Sequence, residues 1–275
     1  VSAPPIDLTR RPSHLAKGEW GRLLILAGSS QLAGAAVLNM LGAVRTGLDT
    51  VVVAAPERAA NAVLQANPSV ISLAIPRRHY EPAHLKFVDQ FARYPVVLGS
   101  GLTVHRPVEK FVKGTLKRFG GPFVLDADAL RIVAMLRHPA KLWQGKAVVL
   151  TPNRGEYAAL AGRDDAEPID TIQQLARTLD ATILCKGPTD LVSDGQTVAE
   201  VKGGSQFLAG AGSGDVLTGV VGALLARGLS PLEACLSGTR LLNDASERAE
   251  ATLGAGLSAA DLPDYLDVRR LKRHE

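Results

Sequence analysis

The chain has 275 residues, of which 46% are hydrophobic and 21% charged, with a formal net charge of +4. This composition excludes a disordered chain, and the length allows one large α/β domain with a sizeable core. Three units of the charge lie in the last eight residues, where Arg269, Arg270, Lys272 and Arg273 outweigh Glu275; aromatics are only 4%, so neither a nucleic-acid face nor a base-stacking surface is expected.

In chain order, Leu23 to Ala27 is an apolar strand ending in Gly28-Ser29-Ser30, and Ala33 to Arg45 is helical. Thr50 to Ala54 is a strand, Glu57 to Gln65 a helix and Val70 to Ala74 a strand. Pro95 to Leu98 is a strand ending in Gly99-Ser100-Gly101, followed by a helix from about Val108 to Arg118. Phe123 to Leu125 runs into Asp126-Ala127-Asp128, Ala147 to Leu150 into Thr151-Pro152-Asn153, and Thr182 to Cys185 into Lys186-Gly187. β-rich turns occupy about Asp190 to Val201, and two long helices cover Val216 to Arg227 and Pro231 to Ala249.

Strands this short and uniformly apolar are buried on both faces. Alternation with helices gives a doubly wound, three-layer α/β/α sandwich with a mostly parallel sheet. One domain is expected over 1–275, with 1–20 as an N-terminal extension and 268–275 as a basic tail that frays. The start has no secretory-signal pattern and no apolar run spans a bilayer, so a cytoplasmic protein without a membrane partner is expected. Cys185 and Cys235 sit in apolar segments and read as buried free thiols. The six histidines, His14, His79, His84, His105, His138 and His274, read as scattered surface residues, so no histidine base or metal site is expected.

Ligands in such sheets lie beyond the carboxyl ends of the strands, and the most informative stretch belongs there. Gly203, Gly204, Gly210, Gly212 and Gly214 precede Asp215 and an apolar helical run. Glycines turn successive N–H groups into one concavity, and the helix adds its unpaired N–H groups and positive dipole end. Gly212, Ser213 and Gly214 are the candidate anion hole. Asp215 would repel a phosphate, but fits as the base that takes a proton from an attacking hydroxyl. The plainer alternative is an ordinary helix N-terminal residue.

The ordered motifs resemble the ADP/ATP-dependent NAD(P)H-hydrate dehydratases of the ribokinase-like superfamily from about Lys17 to Ala249. They are Lys17 to Arg22, Ala27-Gly28-Ser29, Gly34-Ala35-Ala36, Val124 to Leu130, Leu150 to Glu156, Leu184 to Gly187, and Gly212 to Gly219 with Gly228 to Pro231. The resemblance implies dehydration of the S form of hydrated NADH or NADPH, by phosphorylation of the ring hydroxyl from ADP or ATP and elimination of phosphate. It implies Asp215 as the catalytic aspartate. Lys186, Gly187, Pro188, Thr189, Asp190 and Gly214 would bind the nucleotide; Ala35, Ala36, Gly101, Asn153 and Asp215 would bind the hydrated cofactor. Glu156 would hold Mg²⁺ through water. A tetramer is the family assembly. The epimerase domain often fused to the family is absent from this sequence, so the R hydrate would need a separate epimerase.

Plainer roles stand beside these. Gly34-Ala35-Ala36 also suits close helix packing, and at least one of Asp126 and Asp128 suits a helix cap. Lys186 also suits a solvated strand end, and Glu156 a first-turn acid. The family usually carries histidine and proline where this chain has Asn153 and Arg154, and its Asn-Pro-Gly-Met before the glycine loop is replaced near Gly204 to Phe207. Two rival functions are a small-molecule kinase of the same superfamily and a non-catalytic nucleotide-binding module.

Overall fold

The computed structural model describes residue 8, residues 10–163 and residues 167–271. The remainder of the expected extension (1–7 and 9) and tail (272–275, with His274) lies outside the described residues. The first half alternates β1 (Arg22–Leu26), α1 (Ala33–Arg45), β2 (Thr50–Pro56), α2 (Glu57–Ala66) and β3 (Ile71–Ile75). It continues through α3 (Leu85–Val88), β4 (Val96–Leu98), α4 (Arg106–Arg118), β5 (Phe123–Leu125) and α5 (Asp128–Ala134). Then come β6 (Val148–Leu150), α6 (Arg154–Ala161), α7 (Pro168–Leu179), β7 (Thr182–Cys185), β8 (Asp190–Ser193) and β9 (Val198–Val201). Helices α8 (Ser213–Ala226), α9 (Pro231–Leu253) and α10 (Leu262–Tyr265) follow.

All nine strands join one sheet in the order β3-β2-β1-β4-β5-β6-β7-β8-β9. The first seven are parallel; β8 and β9 complete one edge as an antiparallel pair. Ile25 of β1 pairs with Val53 on one side and Val97 on the other. The chain winds outward from β1 to β3, then returns to β4 on the opposite side of β1. The β1/β4 boundary is therefore the topological switch point, where open sheets of this kind leave a crevice.

Alternate strand residues feed two cores, which is why the strands are apolar throughout. Leu23, Ile25, Val51, Val53 and Val97 pack with α1, α2, α8 and α9. Leu24, Leu26, Val52, Val96 and Leu98 pack under α4, α5, α6 and α7. Helices α1 and α8 approach unusually closely: a Cβ at Gly219 would lie 2.0 Å from Asn39 O, and one at Gly42 would lie 2.4 Å from Val216 O. Only glycine permits that approach.

The three-layer expectation holds, and the helix expected at Ala33 to Arg45 has those ends. Helix α7 was not foreseen; the β-rich turns are β8 and β9. The frayed-tail expectation fails at Arg269 and Arg270, which pair with Asp267 and Asp244 at 2.7 and 2.6 Å. The histidine expectation fails at three positions. His84 is buried, with Nδ1 accepting from Glu81 N at 3.0 Å, and the rings of His79 and His105 meet edge-on 4.3 Å apart. Both cysteines are buried free thiols, and burial pushes Cys185 up to about 12. No helix among the described residues is long and apolar enough to cross a membrane.

Candidate active site at the strand ends

Four neighbouring strand ends, those of β4 to β7, meet near the N-terminus of α8. After β5, Asp126 is 2% exposed, and its Oδ1 accepts from Lys186 Nζ at 2.8 Å and from the Thr151 hydroxyl at 2.9 Å. The Ser100 hydroxyl lies 3.3 Å from its Oδ2. These partners come from the ends of β7, β6 and β4, so one carboxylate ties four strands together. The alternative of a helix cap is overturned for both aspartates: α5 has no side-chain cap, Asp126 turns into the site, and Asp128 Oδ2 accepts from Thr103 N at 2.8 Å. Ala127, held at φ +48°, separates the two.

Lys186 is likewise no solvated strand-end lysine. Burial opposes its charge, but Asp126, together with Glu156 and Asp215, outweighs burial and holds the ammonium above its ordinary value. Glu156 closes a capping box on α6: its Oε2 accepts from Asn153 N at 3.0 Å, and Asn153 Oδ1 accepts from Glu156 N at 2.9 Å. The first-turn role is therefore real. Burial, and then the charge of Asp126, also push the Glu156 carboxyl above its usual range.

The glycine loop forms as its spacing suggests. Gly212 takes φ +97° at the N-cap of α8, and Ser213 turns its hydroxyl back onto Leu208 O at 2.6 Å. Val216 N is bonded within the helix to Gly212 O at 3.1 Å, while the N–H groups of the preceding turn have no intrahelical acceptor, and Ser213 and Gly214 of that turn line the cleft. Asp215, in that first turn, is half-buried. Burial and the charge of Asp126 raise its carboxyl to about 7, only partly offset by the Ser100 hydroxyl and the Lys186 charge. A carboxyl balanced near neutrality can accept a proton and later release it.

Asn39 was missed by sequence reasoning. Fully buried on α1, it donates from Nδ2 to Asp215 O at 2.7 Å and so fixes the start of α8. Its signal was faint: one polar residue on an apolar helix face. Thr151 and Ser100 were noted only as polar strand tips.

A cleft of ≈ 720 Å³ opens beside the first turn of α8. Lys186, Gly187, Pro188, Asp190, Ser213 and Gly214 line it, so most of the expected nucleotide residues converge there. Asp190 Oδ1 accepts from Gly187 N at 2.9 Å and shapes the turn; Thr189 belongs to the turn but not to the wall. Asn153 lines this same cleft, although the family pattern groups it with the hydrated-cofactor residues. Arg154 is spent in an ion pair with Glu167. Gly101, next to Ser100, takes φ +67° and lies against Ala35: a Cβ on Gly101 would stand 2.9 Å from Ala35 Cβ. Ala36 is fully buried beneath Gly28, so its small size matters to packing, while Gly34 has no atom within 4 Å of an added Cβ. Close packing in this motif thus belongs to Ala36 rather than Gly34.

A family model described as NAD(P)H-hydrate dehydratase matches residues 23–267. The chain is 35% identical over 269 residues to a bifunctional NAD(P)H-hydrate repair enzyme of Pyrobaculum aerophilum, covering 95% of this chain and 52% of the relative. It spans about half the length of the first such relatives. An ADP-dependent (S)-NAD(P)H-hydrate dehydratase of Cenarchaeum symbiosum is 32% identical, with 94% of this chain and 90% of the relative covered. Among solved structures, a Bacillus subtilis ADP/ATP-dependent NAD(P)H-hydrate dehydratase co-crystallised with ATP/Mg²⁺ superposes with a TM-score of 0.78 at 26% identity, covering 96% and 93% of the two chains. A ribokinase-like protein of Enterococcus faecalis, at 18% identity and a TM-score of 0.79, shares the fold. With nearly the whole sheet and its site inside the matched region, the chain belongs to the NAD(P)H-hydrate dehydratase family.

Proposed function

We propose that this chain dehydrates the S hydrate of NADH or NADPH, using ADP or ATP as phosphoryl donor. The observation that carries the proposal is Asp215: it sits in the first turn of α8 next to Ser213 and Gly214 of the cleft wall, is hydrogen-bonded by Ser100 beside Gly101, and burial raises its carboxyl to about 7. Asp215 would take the proton of the ring hydroxyl as its oxygen bonds to the donor's terminal phosphorus, and the bond to the nucleotide breaks. The N–H groups at Gly212, Ser213 and Gly214 would hold the transferred phosphoryl oxygens, and Lys186 would offset their charge. The ring nitrogen then pushes its electron pair toward the phosphorylated carbon. Phosphate departs with the C–O electrons, and loss of a proton from the adjacent carbon restores the double bond.

The Glu156 carboxyl suits a Mg²⁺ ion held through water. It is a hard oxygen donor whose ionised form is disfavoured by burial and a neighbouring carboxylate, so a nearby cation would favour its charge; no group of three metal-ligating acids, histidines or cysteines forms among the described residues. Mg²⁺ keeps several waters and binds chiefly to phosphates in such sites. When bound, it would neutralise charge on the donor phosphates. The two buried thiols support a reducing compartment, the cytoplasm.

Turnover of hydrated NADH and NADPH with ADP or ATP, followed by recovery of the reduced-nicotinamide absorbance, tests the reading. A stable phosphorylated product without that recovery would make the protein a kinase. No reaction, with nucleotide still bound, would make it a binding module.

A further inference from the structure

A second cavity, of ≈ 670 Å³, lies apart from the nucleotide cleft and shares no wall residue with it. Its lining includes Ser29, Arg58, Arg78, His79, Thr103 and His105. These come from the ends of β1, β3 and β4 and the start of α2, so the cavity sits over the β1/β4 switch point. Two of its side chains, Arg58 and Arg78, are guanidinium groups and two more, His79 and His105, are imidazoles, and none of its lining residues is acidic. Two acids touch lining residues: Asp128 Oδ2 accepts from Thr103 N at 2.8 Å, and a Glu81 carboxylate oxygen lies 3.6 Å from His79 Nε2.

The cavity is built rather than incidental. Ser30 N donates to Arg78 O at 3.1 Å and Arg58 Nη1 donates to Ser30 O at 2.8 Å, which ties β1, β3 and α2 around the opening. His79 and His105 meet ring to ring, and His105 Nδ1 is buried without a hydrogen-bond partner. Arg77 and Thr103, which flank or line it, are held at φ +76° and +68°, conformations that non-glycine residues adopt at a cost. Packing alone explains neither the gathering of two guanidinium and two imidazole groups nor the strain.

Its position relative to Asp215 identifies the ligand. Ser100, whose hydroxyl serves Asp215 and Asp126, is three residues from Thr103, a chain length of at most roughly 10 Å. The nucleotide cleft is lined from the ends of β6 and β7 and the segment after β9, towards the opposite edge of the sheet from β1 and β3. A dinucleotide whose nicotinamide ring reaches Asp215 must therefore send its charged half along the Ala35–Gly101 wall, away from the donor.

Building on the proposed reaction, the geometry points to the Arg58, Arg78, His79 and His105 cavity as the subsite for the phosphate groups of the hydrated dinucleotide. Guanidinium groups bind phosphate oxygens through paired N–H donors, and imidazole N–H groups donate further hydrogen bonds; burial and the neighbouring His79 hold His105 below its ordinary value, so the two arginines carry the charge. The phosphates are the pyrophosphate, common to NADH and NADPH, or the 2′-phosphate of NADPH alone.

The test is equilibrium binding of NADH, NADPH and ADP with Mg²⁺ to the full chain and to Arg78→Gln and Arg78→Gln/His105→Gln. Arg78 is exposed, so the single variant keeps the fold; thermal unfolding without ligand checks both variants. Loss of one charge-assisted contact is expected to weaken dinucleotide binding about tenfold and leave ADP binding unchanged. Equal weakening for NADH and NADPH assigns the pyrophosphate; weakening confined to NADPH assigns the 2′-phosphate. Failure of the parent to bind either dinucleotide, unchanged affinity in both variants, or equal weakening of ADP, overturns the subsite. Turnover separates this from the proposed function. No turnover by the parent, with variant-sensitive NADPH binding, sinks the reaction and keeps the subsite. Normal turnover with unchanged KM for the hydrate in both variants does the reverse.

Discussion

Lys186 Nζ stands 2.8 Å from Asp126 Oδ1, and this contact joins the ends of β7 and β5 across β6. Asp126 is nearly fully buried and Lys186 mostly so, which makes the pair expensive to break from one side. Lys186→Met is expected to destabilise the fold by about 3–5 kcal/mol, because it strands a buried carboxylate. The Thr151 and Ser100 hydroxyls temper the loss. In Lys186→Met/Asp126→Asn the charge is gone, and the penalty falls below the sum of the two single changes. Urea unfolding of the four proteins measures this. A loss under about 1 kcal/mol for Lys186→Met, the level of an exposed pair, would show the ammonium to be solvated after all.

Asp215 sets an acid limb on activity. Its carboxyl titrates at about 7 in the free protein, and only the ionised form accepts the hydroxyl proton. The kcat/KM should therefore rise with pH through about 7 and level off above it, falling about tenfold per pH unit on the acid side. Asp215→Asn should bind nucleotide normally but lose roughly 10²–10⁴-fold in turnover. A rate in the Asn variant within a few-fold of the parent would remove Asp215 as the base.

The same carboxyl makes a stability prediction of opposite sense. Its folded pKa is raised above the unfolded value of 3.8, so ionising it is harder in the fold than in the open chain. Stability associated with the neutral form is complete below pH 3.8 and is lost as pH rises through about 7. Asp215→Asn escapes that loss. Its melting temperature should match the parent near pH 4 and exceed it by a growing margin toward pH 8. A margin that shrinks with rising pH would mean that Lys186 and Ser100, not burial, dominate at Asp215.

Local chemistry was legible in the sequence; contacts across the fold were not. The glycine loop and Asp215 could be read because the N-cap, the turn and the first helical turn are consecutive residues. The helix-cap role for at least one of Asp126 and Asp128 follows from the rule that holds for immediate neighbours, whereas the partner of Asp126, Lys186, lies 60 positions away. Asn39 acts on a carbonyl 176 positions distant, which no local pattern announces. Helix α7 is a different case. Pro168, Ile172, Ala176 and Leu179 are buried at helical spacing, with a proline at the first turn. That signal was present and was passed over between two stronger strands.

Two glycines on facing helices separate packing from spare room. A Cβ at Gly219 of α8 would stand 2.0 Å from Asn39 O and 3.1 Å from Ala43 N, backbone atoms of α1 that cannot rotate away. Gly219→Ala must push the helices apart, at a cost of about 1–3 kcal/mol or more. The same displacement pulls Asn39 Nδ2 from Asp215 O, so the start of α8 and its N–H groups lose their alignment. Turnover should fall by more than the loss of folded protein explains. Gly34→Ala on α1 is the control for stability: an added Cβ there meets nothing within 4 Å, and alanine favours a helix over glycine. Its stability should equal or exceed the parent's by up to about 1 kcal/mol. Thermal unfolding and turnover of both variants decide the matter. If Gly219→Ala keeps parental stability and rate, the close α1–α8 approach does not hold the catalytic loop in place.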